Sequence, residues 1–226
     1  MSELVELFAR FSGQLWTGTV ITVQITAVGL LLGFLVGLPT ALIRVYGGPW
    51  VRWIAVLYTE LFRGTPVLVQ LFIVYFGLPD LGITLSRLAA AYIAMGLNSG
   101  AYQAEYFRGA IQSIGSGQMR AARAIGMSRL KAIRYIILPQ ALRLVIPAWS
   151  NEPVALMKTS AVAFLIAVPD LMGQGKIIAA RTYDPITSYL AVAIIYIALV
   201  ALLMLGLQWL EQRLRIPGTE VEVQRV

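Results

Sequence analysis

Asn151, Glu152, Lys158, Thr159 and Ser160 stand close together in an otherwise apolar stretch that also holds Pro147 and Pro153. On a helix, Glu152 and Thr159 share a face two turns apart, roughly 10 Å along the axis. Asn151 and Lys158 share the adjacent face. Each proline removes a helix hydrogen bond and frees a carbonyl. An acid, an amide, a lysine and two hydroxyls around a prolyl bend suit a zwitterion. Glu152 then meets either a cationic side chain or an α-ammonium. Lys158 either meets an α-carboxylate or neutralises an acid on a partner subunit. Upstream, Asn98, Tyr102 and Glu105 step by four and three residues along one helical face. Gly96, Ser99, Gly100 and Ala101 beside them permit close helix packing. That stripe is either a packing seam or the lining of a pathway, and Tyr102 either stacks on a ligand or bonds a backbone carbonyl. Glu60 and Arg63 lie three apart on one face, and Glu105 and Arg108 repeat the spacing. Two acids and two bases balance, so these four are expected to lock helices together rather than to contact a ligand.

The chain has no histidine and no cysteine. This removes imidazole and thiolate metal sites, disulfides and every nucleophile–histidine arrangement, so no catalytic residue and no metal site is expected. No glycine loop is followed by Lys-Ser or Lys-Thr, and the chain carries no nucleotide site or cofactor of its own on this reading.

The elements that must position these groups follow from composition. Of 226 residues, 58% are apolar and 13% are charged, and the mean hydropathy is +0.76. A soluble domain has roughly 45–50% apolar and about 25% charged residues. The surplus cannot be hidden in one core, and the bilayer becomes the main solvent. With about 20 residues per span there is room for four to six spans and no large soluble domain. Five are predicted, at about 17–43, 53–78, 85–107, 144–168 and 186–210, giving an all-α membrane protein. A charge inside a span costs about 2.5–3.5 kcal/mol at the helix centre. Glu60, Arg63, Glu152 and Lys158 therefore face partners or a wet cavity, and the carbonyls freed by Pro147 and Pro153 face protein or a cavity. Gly29, Gly33 and Gly37 repeat every four residues and read as a packing face, with Pro39 bending the end of the first span. Trp50, Trp53 and Trp209 suit an interfacial aromatic belt. Residues 1–16 are too mixed for a signal peptide, because Glu3 and Glu6 precede the apolar run.

The net charge is +7, and its placement sets a topology instead of pointing to nucleic acid. Residues 108–143 hold Arg108, Arg120, Arg123, Arg129, Lys131, Arg134 and Arg143 and no acid; Arg44 and Arg52 flank residues 44–52, also without an acid. The loops 79–87 and 169–185 are mixed. By the positive-inside rule 44–52, 108–143 and the tail after Trp209 are cytoplasmic, and the N-terminus is outside.

Within the cytoplasmic segment, Gly115 and Gly117 break whatever precedes them. Residues 118–125 read as a short helix with Met119, Ala122 and Ile125 on one face. Gly126 sits where a left-handed residue ends a helix, Ser128 caps the next, and Pro139 ends or bends it. Such a helix either lies on anionic lipid or lets another backbone approach its small side chains.

Here a resemblance becomes specific. Ala121-Ala122, three residues, Gly126, nine residues and Ile136-Ile137-Leu138-Pro139 resemble the cytoplasmic signature of the permeases of ATP-binding-cassette (ABC) importers. That signature begins with Glu-Ala-Ala, and Arg120 stands where the family has its glutamate. Residues 60–70 (ELFRGTPVLVQ) and 102–111 (YQAEYFRGAI) resemble the polar amino-acid subfamily. The stretch from Asn151-Glu152 through Lys158-Thr159-Ser160 to Val168-Pro169-Asp170-Leu171 looks most like the M-type subunits of the histidine/lysine/arginine/ornithine and opine importers. Together these cover about residues 15–215.

The resemblance implies a type I ABC importer permease fold, one permease domain over 1–226 with a coupling loop at 115–139, and residence in the bacterial inner membrane. It implies an ATPase dimer that binds ATP and Mg and meets Arg120, Ala121, Ala122, Ile125 and Gly126. It also implies a second permease, by this likeness a homologue, and an external binding protein that delivers a polar, basic amino acid to loops 79–87 and 169–185. In basic amino-acid members, acids at the positions of Glu152 and Thr159 hold the cationic side chain; this chain keeps the first and has threonine at the second. Asn98, Tyr102, Asn151, Glu152, Lys158, Thr159 and Ser160 are the expected substrate residues. The alternative is a self-sufficient channel or secondary transporter, for which the 115–139 loop has no use.

Overall fold

The computed structural model describes residues 2–214; the expectation for the tail beyond them lies outside the described residues. The elements are helical throughout: α1 (Ser2–Tyr46), α2 (Pro49–Gly64), α3 (Val67–Phe72), α4 (Arg87–Ser113), α5 (Ser116–Ala124), α6 (Arg129–Ala132), α7 (Leu138–Leu144), α8 (Ile146–Trp149), α9 (Asn151–Thr159), α10 (Leu171–Thr182) and α11 (Pro185–Leu214). Short 3-10 and π turns join several of them.

Two helices, α1 and α11, are long and apolar enough to cross a bilayer unaided. Two further traverses are bent: α2 meets the α3 segment at 106°, and residues 146–166 meet α10 at 52°. The 27-residue α4 is about 40 Å long, enough to span. It is less apolar because it carries Asn98, Gln103, Glu105 and Arg108. These are the five predicted traverses, with three corrections.

The first correction is the start of α1. Residues 2–16 continue the helix outward, with a non-helical backbone at Phe11. Leu7, Phe11 and Leu15 pack against Leu171, Ile178, Ala191 and Val192, while Glu3, Glu6 and Arg10 stay exposed. The mixed composition is that of an amphipathic stripe. Pro39 lies inside α1, and the kink is at Phe11.

The second is the 169–185 loop, most of which is α10. The Asp170 carboxylate caps it by accepting from the Gly173 N–H at 2.9 Å, and Tyr183 closes it in a left-handed conformation. Asp184 then opens α11: its carboxylate accepts from the Thr187 N–H at 3.1 Å, and the Thr187 bonds hold its carboxyl below the usual value.

The third is the second traverse, which breaks at Thr65-Pro66. A residue before proline is pushed to extended backbone, and Thr65 has φ −118°, ψ 146°. Pro139 and Pro79 show a milder outcome. Each follows a π turn, Ile133–Ile137 and Ile73–Gly77, whose extra residue makes room for the ring. The helix at Pro139 therefore continues to Leu144.

The centre of the molecule is the α1–α4 seam. A Cβ on Gly33 would lie 2.4 Å from Gln103 Nε2, and one on Gly37 would lie 2.8 Å from the Gly100 carbonyl oxygen. Since the second obstacle is backbone, Gly37→Ala is expected to push α1 off α4 and lose about 1–3 kcal/mol. Gly13→Ala, where nothing lies within 4 Å, should be neutral or stabilising by about 0.5–1 kcal/mol. Melting temperatures of the two detergent-purified variants check this; equal values would mean the seam is loose.

Candidate functional site

The break in the second traverse needs its backbone groups satisfied. Gln70 does most of this, its Nε2 donating to the Phe62 carbonyl at 2.8 Å and to the Thr65 carbonyl at 3.0 Å. Asn98 Nδ2 donates to the same Phe62 carbonyl at 3.1 Å and to Gln70 Oε1 at 3.0 Å. The amide read as a ligand residue thus holds the bent span open against α4.

That bend forms one wall of a cavity of about 550 Å³, within the range typical of small-molecule sites. Arg63, Gly64, Thr65, Pro66 and Val67 line it from the break. Asn98, Tyr102 and Tyr106 line it from α4, and Glu152, Ala155, Leu156 and Thr159 from α9. Glu152 is buried. The Arg63 guanidinium sits over the Tyr102 ring, 5.4 Å from its centroid.

The structure brings Asn98, Tyr102, Glu152 and Thr159 together and separates the other three. Ser160 is buried, with its hydroxyl donating to the Met157 carbonyl at 2.8 Å. Asn151 and Lys158 are exposed and line a different cavity of about 440 Å³ together with Gln208 and Glu211 of α11. The sequence offered Lys158 as an α-carboxylate partner, but helical phase turns it about 120° around α9 from Glu152, into the neighbouring cavity.

The start of α9 is fixed by a fully buried amide that the sequence reading passed over. Gln103 Nε2 donates to the Leu30 carbonyl at 3.1 Å and to Ser99 Oγ at 3.0 Å, and its Oε1 accepts from Trp149 Nε1 at 2.9 Å. One side chain ties α1, α4 and α8 just ahead of Glu152. Its signal was a glutamine on the Ser99 face, i+4, opposite the glycine repeat.

The charge cluster differs from the expected four. Glu105 accepts from Arg44, and from Arg108 through Nε at 2.9 Å and Nη2 at 2.7 Å. Arg63 approaches Glu105 only to 3.8 Å. Glu60 is exposed and makes no ion pair among the described residues. Arg44, which sequence placed in a loop, is the inner partner and also donates to Thr59 Oγ1 at 2.7 Å.

The basic arm forms a hairpin of α5 and α6. Gly126 has φ +84°, and the Met127 N–H returns to the Ala122 carbonyl at 3.1 Å, the bond that closes a left-handed helix end. Ser128 caps α6 by accepting from the Lys131 N–H. The predicted face of Met119, Ala122 and Ile125 does not hold together. Ala122 is buried and Met119 packs inward, whereas Ile125 lies at the helix end and is 77% exposed. The outward surface is Arg120, Ala121, Ile125 and, unforeseen, Leu130 at 75% exposure.

A bundle with two broken traverses, a polar cavity at a break and a basic hairpin between the third and fourth traverses defines a membrane transport subunit. The chain belongs to the family of binding-protein-dependent transport system inner membrane components, whose model matches residues 29–216. It is 43% identical over 178 residues to YckA of Bacillus subtilis, a probable amino-acid ABC transporter permease protein, covering 79% of each chain. It is 37% identical over 195 residues to HisM, the histidine/lysine/arginine/ornithine transport system permease protein of Escherichia coli K12, covering 82% of each. Over 203 residues it is 37% identical to GlnP, the glutamine transport system permease protein of the same strain, covering 88% of this chain and 92% of that one. Among solved structures, an amino acid ABC transporter with histidines superposes with a TM-score of 0.83 at 34% identity, over 91% of this chain and 96% of the other. The MetNI methionine ABC transporter, at 20% identity and a TM-score of 0.79 over 92% and 99%, shares the fold. The fold is that of type I ABC importer permeases.

Proposed function

We propose that the chain is the permease subunit of an amino-acid importer driven by a separate ATPase. The observation that carries this reading is the cavity at the Thr65-Pro66 break, where Glu152 lies inside a bundle whose family is a binding-protein-dependent importer component. Glu152 takes a cationic group of the substrate, the α-ammonium or a basic side chain. Tyr102, Thr159 and Tyr106 shape the walls. The relatives' names span basic amino acids and glutamine, and threonine at 159 leaves Glu152 as the single acid lining the cavity among the described residues.

The whole chain works as one permease domain, and residues 115–139 are its coupling element. The positive-inside asymmetry puts this hairpin and the C-terminus in the cytoplasm and the N-terminus outside. Two ATPase copies bind ATP and Mg and do the hydrolysis; this chain contributes no catalytic group. One copy receives α5 through Arg120, Ala121 and Ile125, with Ala122 and Gly126 holding their shape. A second permease, a homologue, completes the core, and an external binding protein docks on the opposite side. ATP-driven closure of the ATPases then moves α5 and switches the cavity between sides.

Purifying the tagged chain from its native host in mild detergent tests this. A soluble ATPase and a second permease of similar size should accompany it; the chain alone, or with copies of itself, would overturn the reading. In the same experiment Gly126→Val should lose the ATPase while keeping the second permease. A β-branched residue at φ +84° is strained by about 1–2 kcal/mol, which is enough to reshape the α5–α6 turn. Undiminished recovery of the ATPase would show that the turn does not set the docking surface.

A further inference from the structure

Three guanidiniums surround one carboxylate near the cavity, and they are not equivalent. Arg44 and Arg108 occupy both Glu105 oxygens with hydrogen bonds. Arg44 is spent further on Thr59, and Arg108 on Gln112 at 2.6 Å. Arg63 is left over. Its 3.8 Å approach to Glu105 is too long for a hydrogen bond, and among the described residues none of its N–H groups donates one. Glu60, one turn before it, makes no ion pair among the described residues. Three positive charges against one leave the cluster with a surplus of two. A charge at membrane depth that is neither paired nor directed into lipid belongs to a wet pathway. The Arg63 side chain is 38% exposed and lines the Glu152 cavity.

The geometry points to Arg63 as the carboxylate site of the pathway, binding the α-carboxylate of the amino acid whose cationic group meets Glu152. This rests on the cavity being the translocation path. A guanidinium presents paired N–H donors that match a carboxylate's two oxygens. The Tyr102 ring beneath it holds the plane by a cation–π contact and leaves the N–H edge free. Lys158 faces another cavity, so Arg63 is the cation lining this one among the described residues. The two charged ends recognise what all α-amino acids share, and selection among side chains falls to the remaining walls and to the external binding protein. Glu105 is then a positioning residue: it holds Arg44 and Arg108 and lets Arg63 turn to the ligand.

The test is equilibrium dialysis of the purified complex of both permeases and the ATPases, without binding protein. The probes are the twenty L-amino acids at millimolar concentration and, for each that binds, its α-carboxamide. The wild-type complex should prefer the free acid over the carboxamide by tenfold or more. Arg63→Gln should bring that preference to within twofold, and Arg63→Lys, which keeps the charge and loses the fork, should leave an intermediate value. The ratio reports carboxylate recognition and does not move with a general loss of packing. Full preference in Arg63→Gln, or in Arg63→Lys where the glutamine variant does not assemble, would overturn the assignment, as would equal wild-type binding of acid and amide. Failure of the wild-type complex to bind any amino acid would overturn the pathway reading beneath it.

Discussion

Glu105→Ala is expected to destabilise the bundle by up to about 3–5 kcal/mol, the loss when one partner of a fully buried ion pair is removed and so an upper bound for this partly buried one. Glu105 is 17% exposed and its inner partner, Arg44, 12%. The alanine variant leaves Arg44 beside Thr59 with no anion, Arg108 without its forked pair, and Arg63 facing two like charges. At roughly 2–4 °C per kcal/mol for a chain of this size, the melting temperature of the detergent-purified chain should fall by up to roughly 6–20 °C. Arg108→Ala should do less, since its side chain is 31% exposed and water can replace part of the interaction. A melting temperature for Glu105→Ala equal to that of Arg108→Ala would mean that Arg44 finds another partner and that the cluster is not the lock between α1, α2 and α4.

The cluster also shows where sequence reading stopped. Spacing along one helix pairs Glu60 with Arg63 and Glu105 with Arg108, because i and i+3 neighbours are the contacts a linear pattern contains. The second pair exists in the fold and the first does not. Arg44–Glu105 joins residues far apart in the chain, and nothing local announces it. The same limit explains Asn98. Its place on a polar stripe was visible, but the acceptor it serves, the Phe62 carbonyl 36 residues earlier, is free only because the chain breaks at Thr65-Pro66. Pro66 itself was readable as a helix stop, yet the hydropathy of residues 53–78 ran straight through it. Apolar runs fix where a chain can cross, not whether it crosses in one piece.

At the termini of the traverses the failure was of the opposite kind. Residues 2–16 and 171–182 are amphipathic helices packed on each other and on α11. Lys176 and Arg181 made 169–185 read as a loop, and Glu3, Glu6 and Arg10 made 1–16 read only as too mixed for a signal peptide, because a hydropathy window averages the two faces. Periodicity would have found Leu7, Phe11 and Leu15, and Asp170 ahead of Leu171 is a ready cap. Gly126 and Ser128 were legible for the converse reason. A left-handed helix end and a hydroxyl cap are local devices, written in single residues, and both stand where expected. Ile125 lost its predicted face because the helix ends one residue before it.

Glu152→Gln tests the site with the smallest change of shape. The amide keeps the volume and removes the charge, so the packing of α9 against α4 should survive. On the proposed reading, the lost interaction is that between a buried carboxylate and the substrate's cationic group. Truncating one side of such a pair costs about 2–5 kcal/mol, which corresponds to a loss of roughly thirtyfold or more in uptake by proteoliposomes holding the whole importer. Recovery of the assembled complex and ATP hydrolysis stimulated by the binding protein should stay within twofold of wild type, because the hairpin proposed to meet the ATPase is built from other residues. Uptake at the wild-type level would exclude Glu152 as a ligand residue. Equal loss of uptake and assembly would make it a structural acid of α9. Loss of uptake with the hydrolytic cycle intact would place the substrate's cationic end at Glu152. The Arg63 variants then read the carboxylate end independently, since removing either charge leaves the other in the same cavity.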